Sequence, residues 1–169
     1  QQIAVGASHS VFLDCDGVVF ICGYNRQRQL GLGHKKTVSL PTAIPVFQAQ
    51  NIKIAKIAAG GGHTLATDME HRAYAWGSNI NRECGFKQGG TIASPKLISI
   101  RSRSSIKAVD IKCGSSHSLL VTEDGAHFLF GHNNHNQVTL IQSRKHVICE
   151  PTAIDSLFSQ RGLEVDRVC

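Results

Sequence analysis

The sequence predicts an all-β protein, a partial β-propeller of about three four-stranded blades within its 169 residues. A block of residues recurs along the chain at a step of 54, and its most regular members are His9, His63, His117, Gly23, Gly77 and Gly131. A constant period indicates one supersecondary unit that is stacked repeatedly. Four short strands in about 50 residues are typical of a propeller blade, and no segment shows the sustained period of an amphipathic helix.

The second copy predicts its four strands most clearly. Residues 52–59 alternate apolar with polar or small side chains, which is typical of a strand, and residues 63–67 form a shorter strand after three glycines. Residues 73–76 supply the third strand. Residues 94–100 supply the fourth, with Pro95 at its start, where a missing N–H is tolerated.

The other copies follow the same order. Asp16-Gly17 and Asp124-Gly125 lie between their second and third strands. Asp-Gly favours a tight turn because glycine accepts a positive φ without strain. The predicted repeats span residues 1–48, 49–102 and 103–158, and residues 159–169 begin a further repeat, so the whole chain reads as one propeller segment.

Composition excludes several classes of protein. Hydrophobic residues make up 41% of the chain and charged residues 18%, so the chain can bury a core and is not a disordered tail. No apolar run approaches the roughly 20 residues of a membrane helix. The six cysteines form no C-x-x-C pair, which favours a reducing, intracellular location, cytoplasmic or nuclear, over a disulfide framework.

Each copy begins with a glycine, then a histidine and a hydroxyl residue, in Gly6-Ala7-Ser8-His9-Ser10, Gly60-Gly61-Gly62-His63-Thr64 and Gly114-Ser115-Ser116-His117-Ser118. The third strands lead into Gly23-Tyr24-Asn25, Gly77-Ser78-Asn79 and Gly131-His132-Asn133. This pattern resembles the repeat of the regulator of chromosome condensation family, whose members build seven-bladed propellers. The resemblance implies roughly four further blades, in the same or another chain. Three blades cannot close a ring, so we expect a piece of a longer protein, or else an open array that a partner caps.

The chain departs from the family pattern at several turns. The glycine that the family places before Gln-Leu-Gly is Arg28, Arg82 and Asn136 in the three copies, and His71 replaces a hairpin glycine. Asparagine tolerates left-handed backbone, whereas arginine does so less readily. The substitutions at these positions make the backbone conformation of the loops uncertain from sequence, but they do not affect the predicted number of blades.

Two sets of histidines suggest a metal or catalytic site, and the sequence favours a structural interpretation for both. His9, His63 and His117 are expected to pack near the glycines and to hydrogen-bond the backbone, because repetition is what a fold requirement produces. His132 and His135 have ligand-like spacing, but no cysteine or carboxylate lies beside them. A closed zinc site needs four ligands.

Other candidate sites also have structural interpretations. Residues 60–62 are glycines that lead into a strand, so close packing is favoured over a phosphate cradle. Trp76 is expected to pack within a blade. Acidic residues recur at the hairpins and are interpreted as turn residues: Asp14, Asp16, Asp68, Glu70, Glu123 and Asp124. The sequence therefore predicts no catalytic residue, no metal and no cofactor.

The loop after each third strand gives the sharper hypothesis. Arg28 and Arg82 are repeat-equivalent, with Arg26 beside the first, so neighbouring blades should present guanidinium groups on one rim. Such groups can hold carboxylates or phosphates bidentately. The longer segment 138–150 is a further candidate partner loop. The residues predicted to contact a protein partner are Arg26, Arg28, Arg82, Arg144 and Lys145; a solvated rim is the alternative.

The resemblance implies three functions, because members of this family do not share one activity. The first is a non-enzymatic protein-interaction scaffold. The second is a guanine nucleotide exchange factor for a Ran-like small GTPase, although no exchange residue can be assigned to this chain. The third is a chromatin or acidic-surface binder, which the net charge of +6 and the pI near 9.2 support.

Overall fold

The computed structural model describes residues 1–99, 107–138 and 146–154, which fold into three four-stranded antiparallel sheets. We call these sheets blades 1, 2 and 3. Blade 1 contains β1 (Gln2–Val5), β2 (His9–Leu13), β3 (Val19–Gly23) and β4 (Val38–Ala43). Blade 2 contains β5 (Ile54–Ala59), β6 (His63–Asp68), β7 (Ala73–Ser78) and β8 (Thr91–Leu97). Blade 3 contains β9 (Ala108–Cys113), β10 (His117–Thr122), β11 (His127–His132) and β12 (Val147–Ala153). The prediction of an all-β fold made of four-stranded blades is confirmed.

The strands of each blade lie side by side in chain order. β5 contacts both β1 and β9, so the first strands of neighbouring blades meet and the fourth strands form the outer edge. Because successive strands alternate in direction, the connections after the first and third strands share one end of every blade. We call that end the loop face and the opposite end, which carries the β2–β3 type hairpins, the hairpin face.

The outer strands carry a bulge that corrects one prediction. Pro95 lies inside β8 rather than at its start, where the pairing with β7 shifts between Ala75 and Gly77. Pro41 and Pro151 lie within β4 and β12, whose pairings shift in the same way. Proline is tolerated at these positions because an outer edge and a bulge both leave an N–H without a ladder partner.

Apolar side chains between neighbouring blades form the core. Val11 and Ile21 of blade 1 pack in one cluster with residues of blade 2, namely Ala66, Tyr74 and Trp76. A second cluster joins blades 2 and 3 and contains Leu65, Ala75, Leu120, Phe128 and Phe130. Each blade therefore buries an apolar face against its neighbour, as stacked units that are too small to have a core of their own must do.

A short helix that the sequence pattern does not predict, α1 (Pro45–Ala49), follows β4 on the way to blade 2. Pro45 occupies its first turn, where the fixed φ suits a helix and the missing N–H costs nothing. The buried ring of Phe47 meets Tyr74 and Trp76 edge-on, with centroids 5.4 and 5.9 Å apart. In the described part of the chain, no helix has the length and apolar character to cross a membrane.

The turns keep a left-handed backbone although glycine has been lost from them. The φ angles are 62° at Arg28, 65° at Arg82, 57° at Asn136 and 64° at His71. A residue with a Cβ in this region costs about 1 kcal/mol relative to ordinary helical or extended backbone. The three equivalent loops therefore share one conformation, which the surrounding fold imposes.

Candidate interaction face

The repeated histidines join each blade to the next through a hydroxyl group. His9 Nε2 lies 2.9 Å from Thr64 Oγ1, and this hydroxyl donates to the Gln29 carbonyl at 2.9 Å. His63 Nε2 likewise lies 2.9 Å from Ser118 Oγ, which donates at 2.6 Å to the carbonyl of residue 83. Because each hydroxyl has one hydrogen and gives it to a carbonyl, the imidazole Nε2 must be the donor. The expected bond to the backbone is therefore made indirectly, through the hydroxyl of the next blade.

Burial keeps these histidines neutral. It lowers the pKa of His9 to about 4 and that of His63 to about 3, and it also lowers the pKa of the less buried His117. A Cβ added at Gly6 or Gly60 would collide with the adjacent imidazole, so the glycines make room for the rings. Within residues 1–99, 107–138 and 146–154, no three potential ligands are grouped to hold a metal ion.

A buried asparagine fixes the loop after each third strand. Asn25 Oδ1 accepts from the Leu30 N–H at 3.0 Å, and its amide donates to the carbonyls of His34 and Lys36. Asn79 and Asn133 occupy equivalent positions, and each also accepts a backbone N–H at 3.0 Å. These asparagines have no predicted role, although their step of 54 residues is a readable signal.

The predicted partner-binding arginines lie on the loop face and contact their own loops. Arg28 Nη1 donates to the Gly33 carbonyl at 3.2 Å. Arg82 Nη1 donates to the Ile80 carbonyl at 2.9 Å and to the Asn79 carbonyl at 3.3 Å. Arg26 is exposed, whereas Arg28 and Arg82 are half-buried. Arg144 and Lys145 lie outside the described residues.

The loop of residues 24–37, which we call the blade 1 loop, crosses onto blade 2. The Gly33 N–H donates to the Ala93 carbonyl of β8 at 3.0 Å. The Trp76 indole N–H of blade 2 donates to the Gln29 carbonyl at 2.9 Å. Gly31 packs on the same indole, where a Cβ would approach Trp76 Cδ1 to 2.7 Å. Neighbouring blades therefore share one continuous loop surface.

Among the described residues, most cations of the loop face lack a carboxylate partner, whereas two cations of the hairpin face have one. On the hairpin face, Arg72 pairs with Asp68 at 2.6 Å and Lys107 pairs with Glu123 at 3.4 Å. On the loop face, five cations have no carboxylate oxygen within ion-pair distance among the described residues: Arg26, Arg28, Lys35, Lys36 and Arg82. The carboxylate of Glu83 is buried and accepts from the Ser78 hydroxyl and the Asn81 N–H instead. The loop face thus presents unpaired positive charge at these five positions, whereas its Lys87 pairs with Glu150 of blade 3 at 3.8 Å.

The remaining residues that the sequence suggested as possible sites have structural roles. Asp14 accepts the N–H groups of Asp16 and Val18, as expected for a turn residue. His132 and His135 have ring centroids 6.5 Å apart, and His132 Nδ1 lies 3.0 Å from the Gln137 amide nitrogen. The central residue of the glycine triplet 60–62 donates its N–H to the residue 115 carbonyl at 2.9 Å, which places it against blade 3.

Comparison with known proteins matches this geometry to one family. A model described as the regulator of chromosome condensation (RCC1) repeat matches residues 16–67 and 70–121, and a second model with the same description matches residues 1–29. The chain belongs to the regulator of chromosome condensation repeat family. The resemblance that the histidines and glycines suggested is thereby confirmed.

Relatives in this family are much longer than this chain. The human probable E3 ubiquitin-protein ligase HERC6 is 33% identical over 138 residues, which cover 81% of this chain and 13% of that protein. The X-linked retinitis pigmentosa GTPase regulator of the dog Canis lupus familiaris is 32% identical over 138 residues, which cover 82% of this chain and 14% of that protein. The chain therefore corresponds to the repeat region of such proteins, not to their whole length.

Solved structures show the same blade architecture. Human WBSCR16 superposes with a TM-score of 0.79 at 22% identity, over 97% of this chain and 39% of that one. Yeast RCC1 (Prp20), solved with Kap60 bound, superposes with a TM-score of 0.75 at 23% identity, over 91% of this chain and 37% of that one. At these identities the likeness establishes the fold alone.

Proposed function

We propose that this chain is a protein-interaction segment of a propeller, which binds a partner through its loop face and carries out no chemistry of its own. The observation that carries the proposal is the set of five loop-face cations without carboxylate partners among the described residues. Neighbouring blades present them on loops that buried asparagines hold in place. Loops that are already held in place before binding lose little conformational entropy when a partner docks on the charges they carry. Arg144 and Lys145 are proposed to extend this surface.

A pair of matched variants tests the proposal. The loop-face variant replaces Arg26, Arg28 and Arg82 by alanine, and the control replaces three lysines at the hairpin end of the blades, Lys53, Lys96 and Lys107, by alanine. Both remove the same amount of charge, so a difference between them reports position rather than net charge. Partners recovered from cell extract are quantified by mass spectrometry, and we expect losses with the loop-face variant only. Equal recovery with both variants would overturn the proposal.

Regulation of a small GTPase is the second candidate function. The dog relative is named as a GTPase regulator, and Prp20p of Saccharomyces cerevisiae, 24% identical, is described with binding properties to Gsp1p and histones. Nucleotide exchange on a Ran-like GTPase would require the loop face to prise open the nucleotide site. Release of a labelled nucleotide from such a GTPase measures this directly, and acceleration by the chain would replace the scaffold proposal.

We also propose that further blades of the same family, in this or another chain, cover the free face of blade 1. Ile3 is 68% exposed, and Phe12 and Phe20 line an open cavity of about 380 Å³. The repeat-equivalents Ile57 and Tyr74 are buried against blade 1. A blade supplied ahead of β1 should therefore protect this face from an apolar fluorescent dye, and undiminished dye binding would contradict its docking.

An intracellular location, cytoplasmic or nuclear, completes the proposal. Five cysteines of the described residues are free: Cys15, Cys22, Cys84, Cys113 and Cys149. Burial raises the pKa of the Cys113 thiol to about 12, and the Cys84 thiol donates to the Ser78 carbonyl at 3.0 Å. Such thiols pack as small apolar groups, and free cysteines persist in reducing compartments.

A further inference from the structure

The blade 1 loop displays lysines from a backbone that cannot easily move. The Asn25 amide donates to the carbonyls of His34 and Lys36 at 2.9 and 3.1 Å, and the Lys36 N–H donates to His34 Nδ1 at 3.2 Å. The side chains of Lys35 and Lys36 are nevertheless exposed. Residues 24–37 contain four Lys or Arg and no Asp or Glu, so nothing within the loop neutralises them.

Apolar side chains lie on the same face as these cations. Tyr24 is 43% exposed at the start of the blade 1 loop, and Ile80 is 58% exposed in the equivalent loop of blade 2. Ile80 occupies the position that Arg26 occupies one repeat earlier. Its carbonyl accepts from Arg82 Nη1 at 2.9 Å, so this apolar side chain is presented from a fixed backbone.

We infer that the loop face binds an acidic peptide segment that also carries an apolar side chain, along a strip from the blade 1 loop onto blade 2. The inference rests on the proposed function and names the chemistry of its partner. We call the residues of this strip the acidic-peptide strip: Tyr24, Arg26, Lys35, Lys36 and Ile80. Carboxylates of the segment pair with the exposed cations, and an aliphatic or aromatic side chain packs on Ile80 or Tyr24.

A peptide accounts for the strip better than a nucleic acid does. A phosphate backbone is held by cations that follow it at short intervals, and its affinity comes mainly from them. Here the blade 2 loop has Ile80 at the position where the blade 1 loop has Arg26. The second loop therefore lacks that cation and exposes an apolar side chain instead. Mixed apolar and charged contacts are typical of protein interfaces, in which large apolar residues contribute much of the affinity.

A random library of short displayed peptides, selected on the full chain, tests the inference. We expect selected peptides to be rich in Asp and Glu and to contain at least one Leu, Ile or Phe. Their affinity, measured by fluorescence polarisation, should fall about tenfold or more in Lys35→Glu/Lys36→Glu. The matched charge reversal on the hairpin face, Lys53→Glu/Lys107→Glu, should change it less than about twofold. Ile80→Ser should weaken binding about fivefold.

Other outcomes overturn the inference. Selected peptides without acidic residues, equal losses in the two charge-reversal variants, or full displacement of the peptide by duplex DNA at equal concentration would each do so. If Lys35→Glu/Lys36→Glu does not fold, the salt dependence of the wild-type complex decides: we expect affinity to fall by about fivefold or more between low and physiological ionic strength. If the peptide inference fails while the Arg26, Arg28 and Arg82 variant still loses its cellular partners, the proposed function stands.

Discussion

Replacing Thr64 by valine should destabilise the chain, because it removes the hydroxyl that joins blade 1 to blade 2. That hydroxyl accepts from His9 Nε2 at 2.9 Å and donates to the Gln29 carbonyl at 2.9 Å. Valine has nearly the volume of threonine, so the substitution leaves no cavity and acts by removing the hydroxyl. Its effect is therefore confined to the two hydrogen bonds, which makes the cost calculable.

The loss of stability comes mainly from the His9 imidazole N–H, which is left without a hydrogen-bond acceptor. His9 is only 3% exposed, so water cannot replace the lost acceptor, and a buried donor without a partner costs about 1–3 kcal/mol. The Gln29 carbonyl still accepts from the Trp76 indole at 2.9 Å and adds little to the loss. We expect the free energy of unfolding to fall by about 2 kcal/mol, which lowers the Tm of a chain of this size by about 4–8 °C.

Urea unfolding at neutral pH measures this change. Thr42→Val is the matched control, because Thr42 is exposed and its loss should stay within about 0.5 kcal/mol. In a His9→Ala background the same Thr64→Val change should cost much less, since no imidazole N–H remains to be stranded. An equal cost in both backgrounds, or a cost no larger than that of the control, would refute the hydroxyl link between blades.

Three further predictions concern backbone strain, packing and pH. Arg28→Gly should raise the free energy of unfolding by up to about 1 kcal/mol in urea titrations, because glycine relieves the strain of φ 62°. Gly31→Ala should lower it by about 2 kcal/mol or more and shift the Trp76 fluorescence, since φ is +66° and the new Cβ would lie 2.7 Å from the indole. Acid should also destabilise the chain: folding lowers the pKa of His9 from 6.5 to about 4 and that of His63 to about 3, so below pH 6.5 the unfolded chain binds more protons. The stability present at neutral pH is lost as pH falls towards the folded pKa, by about 3 kcal/mol for His9 between pH 6.5 and 4. Urea midpoints across that range should decline, and less steeply in His9→Gln.

The blades could be predicted because their signals are local and repeated. The alternation in residues 52–59 and the Asp-Gly turns reflect one strand or one hairpin, and a step of 54 residues repeats them. Helix α1 cannot be predicted from the sequence because five residues are too few to show a helical period. Its Phe47 packs on aromatic rings of the next blade, a contact that the local sequence does not reveal. The prediction that Pro95 starts a strand is wrong because a bulge depends on pairing, which the sequence of one strand does not display.

The candidate face could be predicted only in part, for the same reason. The equivalence of Arg28 and Arg82 is visible in the sequence and places them on one side of the blades. The hydrogen bond from the Gly33 N–H to the Ala93 carbonyl joins residues of different blades, so no local sequence pattern predicts it. The hydroxyl link of His9 was missed for a similar reason, because its partner Thr64 lies in the next repeat.

Strain and unpaired charge coincide on the loop face, and together they favour a partner over a merely solvated rim. Glycine would relieve the left-handed backbone at Arg28 and Arg82, where the guanidinium groups instead donate to carbonyls of their own loops. Unpaired cations on one face also repel each other. The hairpin face of the same chain avoids that repulsion by pairing Arg72 with Asp68, so this fold can readily place carboxylates beside its cations. Five cations of the loop face, Arg26, Arg28, Lys35, Lys36 and Arg82, have no such carboxylates among the described residues, and an anionic partner would supply them.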